Sequence, residues 1–323
     1  MALEPVRPIE LSEIRAARER IANTVVRTPL IRLELGSAAP EIWLKLENLQ
    51  PINAYKLRGA ANAVALLSES ERARGVWTIS AGNAGQGVAY AARAAGVPSA
   101  VVAVETAPQS KLERMKALGA KVIPVPYDVA WKALDERSFP GADGTFIHPF
   151  DDDKFIAGHG TMGLEIFEDL PDAAVVIASI GGGGLITGVA SALKALKPAI
   201  KVIGVEPETA APAALSFKMG SPQAFKDWKS SFVDGAGGQS MFPRMWERMR
   251  PLVDDYLVVT LEQTKNAMRL LAEKARIISE GAGALPVAAA LTGRAGKGPI
   301  VAIVSGGNID LSKFCELISQ RGD

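Results

Sequence analysis

Four consecutive glycines, Gly181, Gly182, Gly183 and Gly184, are the part of this chain best able to do chemistry with backbone alone. They follow an apolar, β-branched run at 174–180 and precede a stretch with helical spacing at 185–196, which Pro198 closes. A chain without Cβ atoms can curl so that successive N–H groups point into one concavity. The first turn of the helix behind it adds free donors and a positive dipole end. Such a loop is a cup for a phosphate group. A flexible hinge would be flanked by polar residues, whereas this loop is clamped between a strand and a helix. Two more turns stand at the ends of apolar runs: 80–87, reading Ser-Ala-Gly-Asn-Ala-Gly-Gln-Gly, and 305–308, reading Ser-Gly-Gly-Asn.

The elements that position these turns alternate in type. Ser12 is expected to cap a helix through Ile21, and Arg27-Thr28-Pro29 breaks it before an extended passage to 42–46. A helix over 57–67 has Lys56 at its start. A strand at 76–80 then leads through the second turn into a helix ending near Gly96. A strand at 100–104, a helix at 111–118 and a strand at 121–125 follow. The pattern restarts after 146–150 with a helix around 155–167, the glycine unit and a strand at 201–205. Residues 206–255 are broken by Pro207, Pro212, Pro222, Pro243 and Pro251 and are expected to wrap the surface or cover a site. Helices at 261–274 and 283–291 and a buried strand at 299–304 complete the chain. This alternation predicts an α/β fold with two parallel-sheet lobes. Ligand sites in such folds lie beyond the carboxyl ends of the strands, where the three turns fall.

Composition narrows the classes. At 323 residues there is ample chain for a large core. Lys and Arg number 36 against 35 Asp and Glu, a net charge of +1, so no electrostatic footprint favours nucleic acid or an anionic membrane. Glu4, Arg7 and Glu10 interrupt the start before an apolar block forms, and no apolar run reaches the length of a membrane span, so neither a signal peptide nor a membrane helix is expected. The single cysteine, Cys315, permits no internal disulfide and fits a reducing, cytoplasmic compartment. Leu311, Phe314, Cys315 and Ile318 share a helical face, which makes Cys315 a core residue by expectation. His148 and His159 form no ligand pair and are read as structural, and no metal site is expected.

The glycine spacing does not match a dinucleotide fingerprint, and no Walker lysine stands behind the cup. The motif set does resemble another family. Lys45-Leu46-Glu47-Asn48-Leu49-Gln50, Tyr55-Lys56-Leu57-Arg58-Gly59-Ala60, the 80–87 turn, the four glycines, Gly204-Val205-Glu206-Pro207, 280–284 and 305–308 are similar in order and spacing to the serine/threonine dehydratase branch of the fold-type-II pyridoxal-phosphate enzymes, akin to tryptophan synthase beta. The resemblance covers nearly the whole chain. It implies a larger cofactor-binding domain from 1–59 and 148–323 and a smaller substrate-loop domain at 60–147. It implies pyridoxal 5′-phosphate as cofactor, with Lys56 as the lysine that holds it covalently and acts in catalysis. Tyr55 would pack against it, Gly181 to Gly184 would take its phosphate, Asn83 its ring oxygen and Ser305 its pyridine nitrogen, with Glu280 also at the cofactor. Ser80, Ala81, Asn83, Ala84 and Gln86 would meet the substrate. Serine in place of an acid at 305 can hydrogen-bond the nitrogen without keeping it protonated, which makes a weaker electron sink and favours elimination over transamination.

Four departures refine the expectation. Relatives commonly carry histidine where this chain has Ala84, and Gly-Ser-Phe where it has Asn53-Ala54-Tyr55. Racemases of the family carry serine where this chain has Ala81, and a metal-binding branch uses an acid where it has Pro212 beyond Glu206 and Ala210. The expected activity is therefore dehydration and deamination of a 3-hydroxy-L-amino acid to a 2-oxo acid, with a bulky or aromatic substrate such as phenylserine. Threonine or serine is the alternative. A racemase, a β-replacement synthase and a non-catalytic anion sensor come after these; a sensor has no need of Lys56. A small-molecule substrate and a homo-oligomer are expected. About one helix of chain remains after Asn308, so regulation through an appended domain is not.

Overall fold

The computed structural model describes residues 4–36 and 40–319. Ten strands run in chain order through the described residues: β1 (Leu30–Leu33), β2 (Ile42–Leu46), β3 (Val76–Ile79), β4 (Ser99–Val104), β5 (Lys121–Val125), β6 (Thr145–Phe146), β7 (Val175–Ser179), β8 (Lys201–Pro207), β9 (Asp255–Val259) and β10 (Ile300–Val304). One sheet has the order β1-β2-β10-β7-β8-β9 and is parallel except where β1 pairs with β2. The other has the order β5-β4-β3-β6 and is parallel throughout.

β7 and β10 are apolar at nearly every position and buried at all of them, as central strands covered by helices on both faces must be. Alternate residues serve opposite faces. Val176, Ala178, Val301 and Ile303 pack with the helices Leu11–Ile21, Asp153–Asp169, Gly184–Leu196 and Pro243–Met249. Val175, Ile177, Ala302 and Val304 pack with Leu261–Leu270, Gly281–Leu291 and Leu311–Ser319. The small sheet repeats the scheme: Val101 and Ala103 face the helices Asn83–Ala94 and Gln109–Ala117, while Val102 faces Tyr127–Glu136.

Several local expectations are corrected. The first helix opens at Glu10, whose N–H donates to the Glu13 carboxylate at 3.1 Å, so Ser12 lies inside the first turn. Cys315 is exposed, because the last helix buries the narrower stripe Phe314 and Leu317. The proline-broken stretch 206–255 contains the short helices Pro212–Met219 and Pro243–Met249, each opened by a proline where its missing N–H costs nothing, and runs into β9. The helix Tyr127–Glu136 has no counterpart in the sequence reading.

Candidate active site

The glycine loop follows β7 as the spacing predicts, and the helix Gly184–Leu196 starts at its end. Gly183 stands at φ +88°, a left-handed conformation that turns the chain into the helix. A Cβ on Gly182 would run into the ring of Phe150, and one on Gly183 would lie 2.7 Å from Met249 Sδ. Side chains are thus excluded from the loop on steric grounds. Among the described residues, the N–H groups of 181–184 donate to no backbone carbonyl, which leaves them as free donors at a helix N-terminus. The proline-broken stretch covers this loop: Gly237 N–H donates to Ile180 O at 2.6 Å, and Gly235 O approaches Gly181.

Lys56 opens the helix Lys56–Ala65. The turn before it is pinned to the turn after β10, where Tyr55 N–H donates to Ser305 O at 3.0 Å and Gly307 N–H to Asn53 O at 2.9 Å. Lys56 Nζ donates to Pro149 O at 2.6 Å and lies 5.2 and 5.4 Å from the ring centroids of Tyr55 and Phe155. No carboxylate pairs with it among the described residues. Burial without a counter-charge pushes the amine down to about 7, so neutral Lys56 is well populated at neutral pH. A carbonyl accepts from an amine in either protonation state, so Pro149 holds Nζ without fixing it as a cation.

The 80–87 turn leads from β3 into the helix Asn83–Ala94. Ser80 Oγ accepts from Gly82 N–H at 3.1 Å. Ala84 is buried, and so is Gln86, whose Nε2 has no hydrogen-bond partner among the described residues. Asn83 is the joint between the turns. Its Nδ2 donates to Glu280 Oε1 and its Oδ1 accepts from Asn308 Nδ2, both at 2.8 Å, which leaves one amide hydrogen free. Asn308 in turn donates to Ile52 O at 2.8 Å and accepts from Arg114 Nη1 at 2.6 Å. Glu280 is pushed up to about 7 by burial and then by Asp234, so its carboxyl is partly protonated near neutral pH. Ser305 is buried, and its hydroxyl has no hydrogen-bond partner among the described residues.

Lys56, Tyr55, Asn83, Glu280 and Ser305 are thus linked directly or through one residue, and Phe150 connects them to the glycine loop. Ser80, Ala81, Ala84 and Gln86 share the Asn83 turn. Sequence reasoning missed Pro149, Phe150, Asn308 as a joint, and Arg114. Asn308 was visible within its motif. The Pro149 contact is made by backbone and leaves no mark in side-chain type. Glu206, at the end of β8, turns both carboxylate oxygens to the start of the next helix, accepting from Ala213 N–H at 3.1 Å and Ala214 N–H at 2.8 Å. A cavity of about 160 Å³ between the two sheets' layers is lined by Lys111, Arg114, Asp234, Glu280, Asn308 and Lys313, among others.

Comparison with known proteins places these features in a group. The profile of the family described as Pyridoxal-phosphate dependent enzyme matches residues 21–306. L-threonine ammonia-lyase from Thermotoga maritima is 42% identical over 318 residues, which are 97% of this chain and 79% of that protein. Among solved structures, a threonine deaminase from T.th. superposes with a TM-score of 0.82 at 36% identity, covering 94% of this chain and 99% of that one. Maize serine racemase gives 0.85 at 32% identity, covering 97% and 98%.

Proposed function

Because this chain belongs to the pyridoxal-phosphate dependent enzymes, we propose that it is a lyase that dehydrates a 3-hydroxy-L-amino acid, L-threonine first, and releases ammonia to leave a 2-oxo acid. The observation that carries this reading is Lys56 itself: a desolvated amine with a neutral carbonyl as its partner, in a turn pinned to the buried Ser305. The residues present fit the cofactor. The side-chain-free loop at 181–184 offers N–H donors for its phosphate, Ser305 an unused hydroxyl for the pyridine nitrogen, Asn83 its remaining amide hydrogen for the ring oxygen, and Tyr55 a ring beside Lys56. When bound, pyridoxal phosphate supplies an electron sink for the pair left at Cα.

The rest falls to the chain's own groups. Neutral Lys56 takes the Cα proton. Ser80 and the first-turn N–H groups behind Asn83 hold the substrate carboxylate. Ala84 and Gln86 border its side chain. Ala81 has no proton to give on the opposite face, which supports elimination over racemisation despite the structural likeness to a serine racemase. The names of the threonine-acting relatives support threonine over the bulky substrate expected from sequence.

A second reading keeps the bulky substrate, on one observation: the residue bordering it at position 84 is a small, buried alanine. We also propose that 1–59 and 148–323 hold the cofactor while 60–147 carries the substrate loop, in a cytoplasmic homo-oligomer. A side-by-side measurement of kcat/KM for L-threonine, L-serine and L-threo-3-phenylserine tests the substrate. Threonine ahead by tenfold or more is expected, and phenylserine ahead by that margin would reverse the order.

A further inference from the structure

The carbonyl that receives Lys56 belongs to a short turn at 148–151 whose geometry is set by two side chains outside the roles assigned above. His148 is buried, and its Nδ1 accepts from Phe150 N–H at 3.3 Å and Asp151 N–H at 3.0 Å, which closes the turn around Pro149. Its ring is held edge-on by Phe146 at 5.7 Å and Phe150 at 4.5 Å. Burial, and then the nearby Arg137 guanidinium, press its pKa down to about 3, so the ring is a neutral acceptor near neutral pH.

Asp151 fixes the far end of the turn. Its carboxylate accepts from Arg137 Nη2 at 2.5 Å, Arg244 Nε at 2.9 Å and Arg248 Nε at 3.1 Å, and these cations hold it ionised against burial. Arg137 ends the helix Tyr127–Glu136 on the small sheet, while Arg244 and Arg248 come from Pro243–Met249 on the large one. The turn that aims at Lys56 is therefore tied to both layers.

We propose that His148 is a positioning residue for Lys56: by closing the 148–151 turn it presents the Pro149 carbonyl to Nζ, and Arg137 ties that turn to the small-sheet layer. The proposal rests on the reading of Lys56 as the cofactor's lysine. Lys56 in this arrangement is aimed by a neutral acceptor, so its direction is fixed while its proton stays free to leave. Loosening the turn releases Nζ without removing any group from the glycine loop or from the Asn83 joint.

The test uses the full-length protein stripped of cofactor and then mixed with pyridoxal phosphate, with the rate constant of capture read by absorbance and the melting midpoint recorded beside it. His148→Leu removes the acceptor and is expected to slow capture and weaken affinity by about tenfold, as expected for loss of one or two ordering hydrogen bonds. His148→Asn, whose Oδ1 can accept in place of Nδ1, is expected to recover most of that loss. Capture by His148→Leu at the wild-type rate, or an equal defect in both variants with wild-type melting, would overturn the proposal. If His148→Leu does not fold, Arg137→Gln decides: slower capture with wild-type melting supports it, and wild-type capture overturns it. Lys56→Ala separates the two levels. Capture retained by Lys56→Ala overturns the reading of Lys56 itself; capture lost there but intact in His148→Leu overturns only the role of His148.

Discussion

Two buried lysines close together in the chain have been given opposite environments. Lys45 sits in a closed ionic cluster, 2.6 Å from Glu165 and donating to Thr28 O at 2.7 Å. Arg58 in the same cluster forks onto Glu47, with both contacts at 2.8 Å, and onto Glu165 at 2.7 and 2.8 Å. Thr28, Gln50 and Thr161 take up remaining positions, so two cations face two carboxylates with every group hydrogen-bonded. Lys56, two residues before Arg58, donates to a carbonyl and meets no carboxylate among the described residues. Burial of a charge is tolerated where its partners are complete and drives off the proton where they are not. The same helix start thus carries a cation built for permanence and an amine built to give up its charge. The first anchors the helix so that the second is aimed.

Lys56→Met should break this contrast on the functional side, with turnover of threonine falling by about a thousandfold or more. Its apoprotein should be no less stable than wild type at pH 7, since no ion pair is lost and the cost of burying a charged amine is removed. Steady-state assays and a denaturant titration read the two halves. Arg58→Met should do the reverse. It strips Glu47 of its paired cation and is expected to cost about 3–5 kcal/mol of unfolding free energy. A loss below about 1 kcal/mol would put the two regions on the same footing.

What the sequence made legible follows the same division. β7 and β10 could be read because nearly every residue is apolar, and the glycine loop because nothing but glycine fits against Phe150 and Met249. Lys45, Glu47 and Arg58 stood in recognisable motifs, yet their chemistry was hidden, because Glu165 arrives from a helix far along the chain. The Pro149 contact could not be read at all, being made by a backbone oxygen. Cys315 was misplaced because helical spacing admits a stripe through Phe314 that leans to 315 and 318 or to 317, and only the packed helix selects Leu317.

The Asn83 joint offers a smaller test. Asn308→Asp keeps an acceptor for Arg114, now as an ion pair, but removes the amide that donates to Asn83 and Ile52. Cofactor affinity, measured by absorbance titration, is expected to fall by about tenfold. Wild-type affinity would mean that Arg114 and Asn308 only tether the two layers.

A change of pH tests the same contrast. The pKa of Lys56 lies at about 7 in the fold against 10.5 unfolded, so the unfolded chain binds more protons in that window. Wild-type apoprotein should therefore gain stability relative to Lys56→Met as pH rises from 7 to 10.5. Glu280 has the opposite sign and another window. Its carboxyl is raised from 4.5 to about 7, the fold binds the extra proton, and stability relative to Glu280→Gln should fall as pH rises from 4.5 to 7. Parallel pH profiles for a variant and wild type would remove the corresponding group from the account.

The most direct measurement treats the protein loaded with pyridoxal phosphate with borohydride and maps the labelled lysine by peptide mass spectrometry. Label on Lys56 and none on Lys45 is expected, because Lys56 is the buried amine held by a carbonyl at the site, whereas Lys45 is held by Glu165. Label on Lys45, on another lysine, or on none would contradict this reading of Lys56.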